Sequence, residues 1–234
     1  MTTKHIGIVA CSAEGAALCY RTICMEAPQW MGEHRHPEIT MHTHPLADYM
    51  VPIRAGDWKG VAALMLSSAR KVAEAGADFA VCPDNTIHQA FDHVKKDSPI
   101  PWLHIAESVA QEAKARGFRR LGILGTKYLM TGPVYPETLR RFGISSAIPD
   151  AGTRERIDEI IFKELVNAVF TETSRLFFNE VMDGLKREGC DAAVLGCTEI
   201  PLIVKPEHAP LPTLDSTRLL ARAALRTAIE KDPL

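Results

Sequence analysis

One pattern of strand, loop and helix signals occurs twice in this chain of 234 residues, and it restricts the fold more than any other feature. Three pairs of segments carry the repeat in the same order: 6–11 with 121–126, 76–81 with 189–194, and 99–104 with 210–215. The landmark pairs Gly7 and Gly122, Asp78 and Asp191, and Pro99 and Pro210 are 115, 113 and 111 residues apart. Such nearly constant spacing indicates a duplicated structural unit rather than the general similarity of α/β segments.

Within each half, short apolar runs alternate with helical segments. The runs at 6–9 and 192–195 have the length of buried strands, whereas 58–75 and 174–187 have the length and composition of helices. Strands that alternate with helices form parallel sheets. The chain therefore predicts an α/β fold with two parallel sheets, one in each half, related by a pseudo-twofold axis.

Composition and charge exclude several classes of protein. The hydrophobic content of 46% and charged content of 24% are typical of a globular protein. A net charge of −2 argues against a nucleic-acid partner, which would require a basic surface. No apolar run is long enough to span a bilayer, and residues 1–9 lack the layout of a signal peptide. We expect a cytoplasmic protein with no membrane or nucleic-acid partner.

Reactive side chains follow the strand predicted at 192–195. Cys197, Thr198 and Glu199 come directly after Gly196, at the carboxyl end of the strand, where open α/β sheets bind their ligands. A lone cysteine is usually a small buried residue. Here the repeat favours a functional interpretation, because it places a second proton-accepting group at the equivalent position in the first half.

That second group is Asp84. Superposing the two halves without gaps, with Asp78 on Asp191, places Asp84 on Cys197. Two such groups facing each other across a cleft suit inversion of a carbon centre, since one removes a proton from one face and the other delivers a proton to the opposite face. The neighbouring side chains and the backbone N–H groups at helix starts suit binding of a carboxylate. We expect four residues to do so: Asn85, Thr86, Thr126 and Thr198.

These motifs together resemble the aspartate/glutamate/hydantoin racemase superfamily. The resemblance covers nearly the whole chain and depends on four segments: Leu195-Gly196-Cys197-Thr198-Glu199-Ile200, Asn85-Thr86-Ile87-His88, Leu103-His104-Ile105-Ala106, and Leu124-Gly125-Thr126 with Met130. It implies two flavodoxin-like domains with the active site in the cleft between them, no cofactor (and so no pyridoxal phosphate), and a homodimer. It also implies that the C-terminal helix returns to the first domain, so that the domains comprise residues 1–104 plus 216–234 and residues 105–215.

The sequence departs from the family at one catalytic position. The family pattern has a cysteine immediately before Asn-Thr, whereas this chain has Asp84 there and Cys82 two positions earlier. Three interpretations follow: Asp84 replaces the thiol as second base, Pro83 bends the loop so that Cys82 reaches the cleft, or Cys197 alone transfers protons, as in single-thiol decarboxylases of the superfamily. We favour Asp84, because the ungapped repeat places it opposite Cys197.

The resemblance and the residue types suggest further roles. Glu199 is similar to the auxiliary acid that assists the thiol in the family, although a carboxylate at a helix start also interacts with the helix dipole. Ser12 resembles a substrate contact or, equally, a helix N-cap. Additional candidates near the substrate are Cys11, His42 and Lys163. His42 and His44 share a strand face, but no set of His, Cys and carboxylate residues has zinc-like spacing, so we predict no metal site.

The sequence therefore predicts a cofactor-independent racemase or epimerase acting at the carbon α to a carboxylate of an amino acid or related small acid. The alternatives are a lyase of the arylmalonate decarboxylase type, a cis–trans isomerase of the same superfamily, or a non-catalytic small-molecule binding protein. Because Asp84 and Glu199 are both acidic and no arginine flanks the motif loops, we expect a substrate less acidic than aspartate, such as a neutral amino acid or a hydantoin.

Overall fold

The computed structural model describes residues 3–230, and these residues form two compact units. Unit 1 contains the chain up to Ile105 and from Thr217 onward, and unit 2 contains Ala106–Ser216. Each unit has one four-stranded sheet in which all strand pairs are parallel. The predicted fold class, α/β with two parallel sheets, is confirmed.

The first half of the chain contains four strands and five helices before the connection to unit 2. In order these are β1 Ile6–Ala10, α1 Ala13–Glu26, α2 Pro28–Met31, β2 Ile39–Thr43, α3 Leu46–Ala55, α4 Trp58–Glu74, β3 Phe79–Val81, a 3-10 helix at Thr86–Ala90, α5 Phe91–Asp97 and β4 Trp102–Leu103. The strand order in the sheet is β2-β1-β3-β4. This is the order of the first four strands of a flavodoxin-like doubly wound sheet, 2-1-3-4.

The second half repeats this strand order. Its elements are α6 Ile105–Ala115, β5 Arg120–Leu124, α7 Lys127–Met130, α8 Val134–Arg141, β6 Ser145–Ala147, α9 Ala151–Lys163, a 3-10 helix at Leu165–Asn167, α10 Glu172–Arg187, β7 Ala192–Leu195, α11 Ile200–Ile203, a 3-10 helix at Pro206–His208, β8 Thr213–Asp215 and α12 Ser216–Ile229. The sheet order is β6-β5-β7-β8. No helix in the described part of the chain is both long enough and apolar enough to cross a membrane.

The duplication extends to individual hydrogen bonds. In unit 1 the Asp78 carboxylate accepts a hydrogen bond from His5 N at 2.6 Å, and Asp78 N donates to His5 O at 2.8 Å. In unit 2 the Asp191 carboxylate accepts from Arg120 N at 3.2 Å, and Asp191 N donates to Arg120 O at 2.9 Å. The same pair of aspartate hydrogen bonds thus fixes the start of β3 against β1 and the start of β7 against β5.

A glycine in the first strand of each sheet makes room for a helix side chain. A Cβ atom on Gly7 would lie 2.7 Å from Val72 Cγ2 and 3.2 Å from the Phe79 carbonyl oxygen. A Cβ atom on Gly122 would lie 2.6 Å from Leu185 Cδ1. Both contacts are shorter than real Cβ atoms tolerate, so the helices α4 and α10 pack at these strands only because no side chain is there.

We expect Gly7→Ala to lower the free energy of unfolding by about 1–3 kcal/mol, because overpacking a dense core forces side chains or backbone to move. Gly122→Ala should cost less, since the flexible end of Leu185 can rotate away whereas Val72 is branched at Cβ. Chemical denaturation of the three proteins measures both changes. Gly152→Ala is the control, because its nearest neighbouring atom would be 3.4 Å away and no loss is expected. Equal stability of Gly7→Ala and the control would contradict this packing.

Each unit has its own apolar core. The core of unit 2 lies between β5, β7 and helices α9 to α11, and includes Leu124, Ile157, Phe178 and Leu195. The core of unit 1 combines residues from both of its chain segments. Its members are Ile6, Ile8, Cys19, Ile23, Ala27, Phe79, Val81, Ile105, Leu220, Ala221, Ala224, Leu225 and Ala228. The last five belong to α12, so this helix supplies part of the core under β1 and β3.

Two polar contacts also connect α12 with the beginning of the chain. Lys4 N donates a hydrogen bond to Ala228 O at 2.9 Å, and the Arg222 guanidinium forms an ion pair with Glu26 at 2.8 Å. The ion pair is partly exposed, so its contribution to stability is small. The apolar face of α12, rather than these contacts, therefore determines where the helix packs.

Candidate functional site

The backbone passes very close to β5 where β7 ends. Gly196 N donates a hydrogen bond to Leu124 O at 2.7 Å, which continues the pairing of β5 with β7 by one residue. A Cβ atom at position 196 would lie 2.5 Å from Leu129 Cδ2 and 2.8 Å from Leu124 O. Only glycine fits at this position, and the chain leaves the sheet directly into the reactive residues that follow.

Those residues form a compact hydrogen-bonded group. The Cys197 thiol donates to Glu199 Oε2 at 2.9 Å, and the Thr198 hydroxyl donates to the same oxygen at 2.7 Å. Glu199 is only 4% exposed and Thr198 is also buried, whereas Cys197 is partly exposed. A buried carboxylate held by two donors is fixed in orientation. It is placed to take the proton from the thiol and so to generate the nucleophilic or basic thiolate.

In unit 1 the corresponding strand end presents Asp84. Its side chain is partly exposed, whereas Asn85 and Thr86 are buried. The strand register shows that these two strand ends correspond. Gly7 of β1 is paired with Ala80 of β3, and Gly122 of β5 is paired with Ala193 of β7. Asp84 and Cys197 each follow these alanines by four residues. The two side chains therefore hold equivalent positions in the two units.

Cys82, the alternative second base, lies one residue after β3 and is completely buried. Burial raises the pKa of its thiol well above 9, and the nearby negative charge of Asp84 raises it further. Its Sγ donates a weak hydrogen bond to Asp84 O at 4.0 Å. Burial in apolar surroundings is typical of structural thiols, so the geometry favours Asp84 over Cys82 as the second base.

His88 holds the loop that carries Asp84. It is buried in the 3-10 helix Thr86–Ala90, and its Nε2 lies 3.0 Å from Cys82 O. A carbonyl oxygen only accepts hydrogen bonds, so Nε2 carries the proton. The ring also contacts His104 edge-on, with centroids 4.6 Å apart. His88 thus connects the helix after Asp84 with the strand before it.

The side chains predicted after the first strand of each unit act as helix N-caps. Ser12 Oγ accepts a hydrogen bond from Gly15 N at 3.3 Å at the start of α1, and Thr126 Oγ1 accepts from Leu129 N at 3.3 Å at the start of α7. Cys11, beside Ser12, is buried. The capping interpretation of Ser12 thus describes the hydrogen bond that is present, and a substrate contact remains a separate prediction.

His42 and His44 at the end of β2 are bound to α4. His42 Nδ1 lies 2.9 Å from Ser68 Oγ and His42 Nε2 lies 3.0 Å from Lys71 Nζ, while His44 Nε2 lies 3.2 Å from Ser67 Oγ. Burial, the positive charge of Lys71 and the neighbouring His44 lower the pKa of His42. His42 is therefore neutral at physiological pH and serves as a hydrogen-bonding residue.

Lys163 lies on the exposed face of α9. Its ammonium group is 2.5 Å from Glu159, one turn earlier, and the side chain is 73% exposed. This is the arrangement of an ordinary surface ion pair between positions i and i+4. Among residues 3–230, no group of three or more His, Cys, Asp and Glu side chains could hold a metal ion.

Each unit thus has a doubly wound parallel sheet with the same strand order and an ionisable side chain, Asp84 or Cys197, at the equivalent strand end. A model of the Asp/Glu/hydantoin racemase family matches residues 6–224. The chain belongs to this family, and the resemblance seen in its sequence motifs is confirmed.

Known structures and sequences agree with this assignment. A candidate Asp/Glu racemase from Yersinia pestis is 31% identical, and the match covers 97% of this chain and 100% of that one, with a TM-score of 0.89. An aspartate racemase homologue from Pyrococcus horikoshii OT3 is 26% identical over 97% of this chain and 100% of that one, with a TM-score of 0.84. The broad specificity amino-acid racemase RacX of Bacillus subtilis (strain 168) is 20% identical over 70% of each chain.

Proposed function

We propose that this protein is a cofactor-independent racemase or epimerase that inverts the carbon α to a carboxylate of a small acid. The observation that carries the proposal is the hydrogen bond from the Cys197 thiol to the buried Glu199 carboxylate, at the strand end equivalent to that of Asp84. In this proposal Cys197 and Asp84 are the two proton-transfer residues and act on opposite faces of the substrate. Glu199 accepts the thiol proton and returns it.

The pairing of a thiol with a carboxyl group suits a two-base reaction. At neutral pH a carboxyl side chain is normally ionised and a thiol is normally protonated. One group is then ready to remove the Cα proton while the other is ready to deliver one. One turnover leaves both groups in the opposite protonation state. Before the enzyme can convert a second molecule of the same enantiomer, the two groups must exchange protons with water, or the enzyme must convert a molecule of the other enantiomer.

The substrate carboxylate requires neutral donors on both sides of the reacting carbon. Asn85 and Thr86 follow Asp84, and Thr198 follows Cys197, while Thr126 caps α7. We propose that these four residues bind the carboxylate through side-chain or backbone N–H donors.

The resulting site contains the acidic residues Asp84 and Glu199, and like charges at short range are costly in a site shielded from water. A substrate with one carboxylate and a neutral side chain therefore fits better than aspartate or glutamate. The broad amino-acid specificity in the name of RacX is consistent with this substrate class.

Exchange of the Cα proton in D₂O tests the reaction class. Each pure enantiomer of a panel of neutral amino acids, aspartate, glutamate and hydantoins is incubated with the protein, and products are separated by chiral chromatography with mass detection. We expect deuterium at Cα in both enantiomers of at least one neutral substrate, and slower reaction of aspartate. Release of carbon dioxide from an α-substituted malonate without exchange would instead indicate the decarboxylase. Neither exchange nor carbon dioxide release, with ligand binding retained, would indicate a binding protein.

A further inference from the structure

The hydroxyl group of Tyr49 is buried without a hydrogen-bond partner. Tyr49 lies on α3, its side chain is 0% exposed, and no group among the described residues accepts or donates a hydrogen bond to its oxygen. A buried polar atom left unsatisfied costs about 1–3 kcal/mol. Such atoms are rare in native proteins and need a specific explanation, of which a missing ligand is one.

The surroundings of this hydroxyl are the strand ends that carry the candidate site. The ionisable side chains of Cys82, Cys11 and Asp84 lie close enough to interact electrostatically with the phenol. Burial, followed by these neighbours, raises the pKa of Tyr49 far above the physiological range. The group is therefore a permanent O–H donor that adds no charge. Cys11 follows β1 and Asp84 follows β3, so the hydroxyl lies close to the carboxyl ends of the two central strands of unit 1.

Polar and aromatic side chains surround the phenol. Ser68 lies close enough to lower the pKa of the phenol, and its hydroxyl oxygen is 2.9 Å from His42 Nδ1, but its geometry toward the Tyr49 oxygen is not that of a hydrogen bond. The Tyr49 ring contacts His44 edge-on with centroids 6.5 Å apart, and His44 contacts His42 in the same way at 4.9 Å. These ring contacts hold the phenol in place on α3.

We propose that the Tyr49 hydroxyl binds the substrate by donating a hydrogen bond to an oxygen of its carboxylate group at the ends of β1 and β3. This role rests on the proposed racemase function. Removal of the Cα proton shifts negative charge onto the carboxylate oxygens, and a neutral donor fixed beside them stabilises that charge. A neutral donor is also the group that fits next to Asp84, since an ionised phenol would repel both the substrate and this base.

Tyr49→Phe removes the hydroxyl and keeps the ring, so it tests the proposal directly. We expect kcat/KM for Cα exchange to fall about 10- to 100-fold, the effect of losing one hydrogen bond to a charged group. Thermal stability of the unliganded protein should stay the same or rise, because the hydroxyl has no partner to lose. Tyr135→Phe is the matched control: Tyr135 is equally buried, but shares a hydrogen bond with Ser216, so this variant should melt at a lower temperature.

Two results would overturn the proposal: an unchanged kcat/KM in Tyr49→Phe, or a loss of stability as large as that of Tyr135→Phe. If the unsubstituted protein exchanges no proton in any substrate of the panel, the proposed function fails while the Tyr49 site is still testable. The readout is then the rise in melting temperature caused by the same carboxylates. A rise in the unsubstituted protein that is lost in Tyr49→Phe supports the binding role, and an equal rise in both proteins, or none in either, contradicts it.

Discussion

Replacing Cys197 with alanine is expected to lower the rate of Cα deuterium exchange by about 10²- to 10⁴-fold, the contribution of a positioned general acid or base. The alanine side chain cannot carry a proton, and Glu199 cannot substitute directly because its carboxylate is almost completely buried and bound by Thr198. Single-turnover exchange in D₂O, followed separately from each enantiomer, measures the loss. Folding should be unaffected, since the thiol is partly exposed.

Cys190→Ala provides the matched control for this variant. Cys190 is 4% exposed and belongs to the same apolar cluster in unit 2 against which Cys197 packs. It carries the same chemical change, but its thiol is paired with the Arg120 side chain rather than with a buried carboxylate such as Glu199. We expect Cys190→Ala to retain the exchange rate within a few fold and to lose some stability. Comparable exchange by the Cys197 and Cys190 variants would show that the thiol at the end of β7 does not transfer protons.

Changing Asp84 to asparagine should reduce the rate of inversion at Cα by a similar factor, about 10²- to 10⁴-fold, because the amide has nearly the same shape but accepts no proton at neutral pH. Asp84→Cys should recover part of the activity, since it restores the thiol that the family pattern has before Asn-Thr. Deuterium exchange at Cα, quenched at set times and started from each enantiomer, measures the recovered activity. A two-base mechanism predicts that Asp84→Asn still allows exchange of one enantiomer without inversion, through the remaining thiol.

Cys82→Ala distinguishes the mechanism in which Asp84 is the second base from the alternative in which Pro83 bends the loop so that the Cys82 thiol reaches the site. Cys82 is completely buried and its thiol stays protonated, so the expected effect is on stability, of the order of 1 kcal/mol, rather than on rate. Full activity of Asp84→Asn together with an inactive Cys82→Ala would reverse the assignment. Activity in both variants would leave Cys197 as the single proton donor, as expected of a decarboxylase.

The sequence predicts the fold well where local pattern and duplication agree. The strands before Cys11, Asp84 and Cys197 are short apolar runs in repeated order, and the structure has them within one or two residues of the predicted ends. The edge strand β6 was not predicted, because Ser145-Ser146-Ala147 has neither branched nor aromatic residues. The start of α9 at Ala151 likewise depends on a local contact, because Asp150 caps the helix by accepting a hydrogen bond from Thr153 N at 3.1 Å.

The candidate site is less accessible to sequence reasoning. Cys197, Asp84 and Glu199 are recognisable because they occur at repeated positions after strands. Tyr49 is not, since a tyrosine in an amphipathic helix looks like any core aromatic residue, and its unsatisfied hydroxyl depends on how α3 packs near the ends of β1 and β3. The binding of His42 by Ser68 and Lys71 likewise depends on the contact between β2 and α4, which no sequence spacing specifies.

The route of the chain through the two cores has a consequence for biosynthesis. Unit 2 is one continuous stretch, Ala106–Ser216, whereas the core of unit 1 needs Leu220 and Leu225 from α12. On the ribosome, the strands of unit 1 emerge first but lack part of their apolar core until α12 has also been made. Unit 2 can therefore complete its core before unit 1, although unit 1 begins to emerge first. The sheet of unit 1 is the part of the chain that would depend on chaperones until α12 is available.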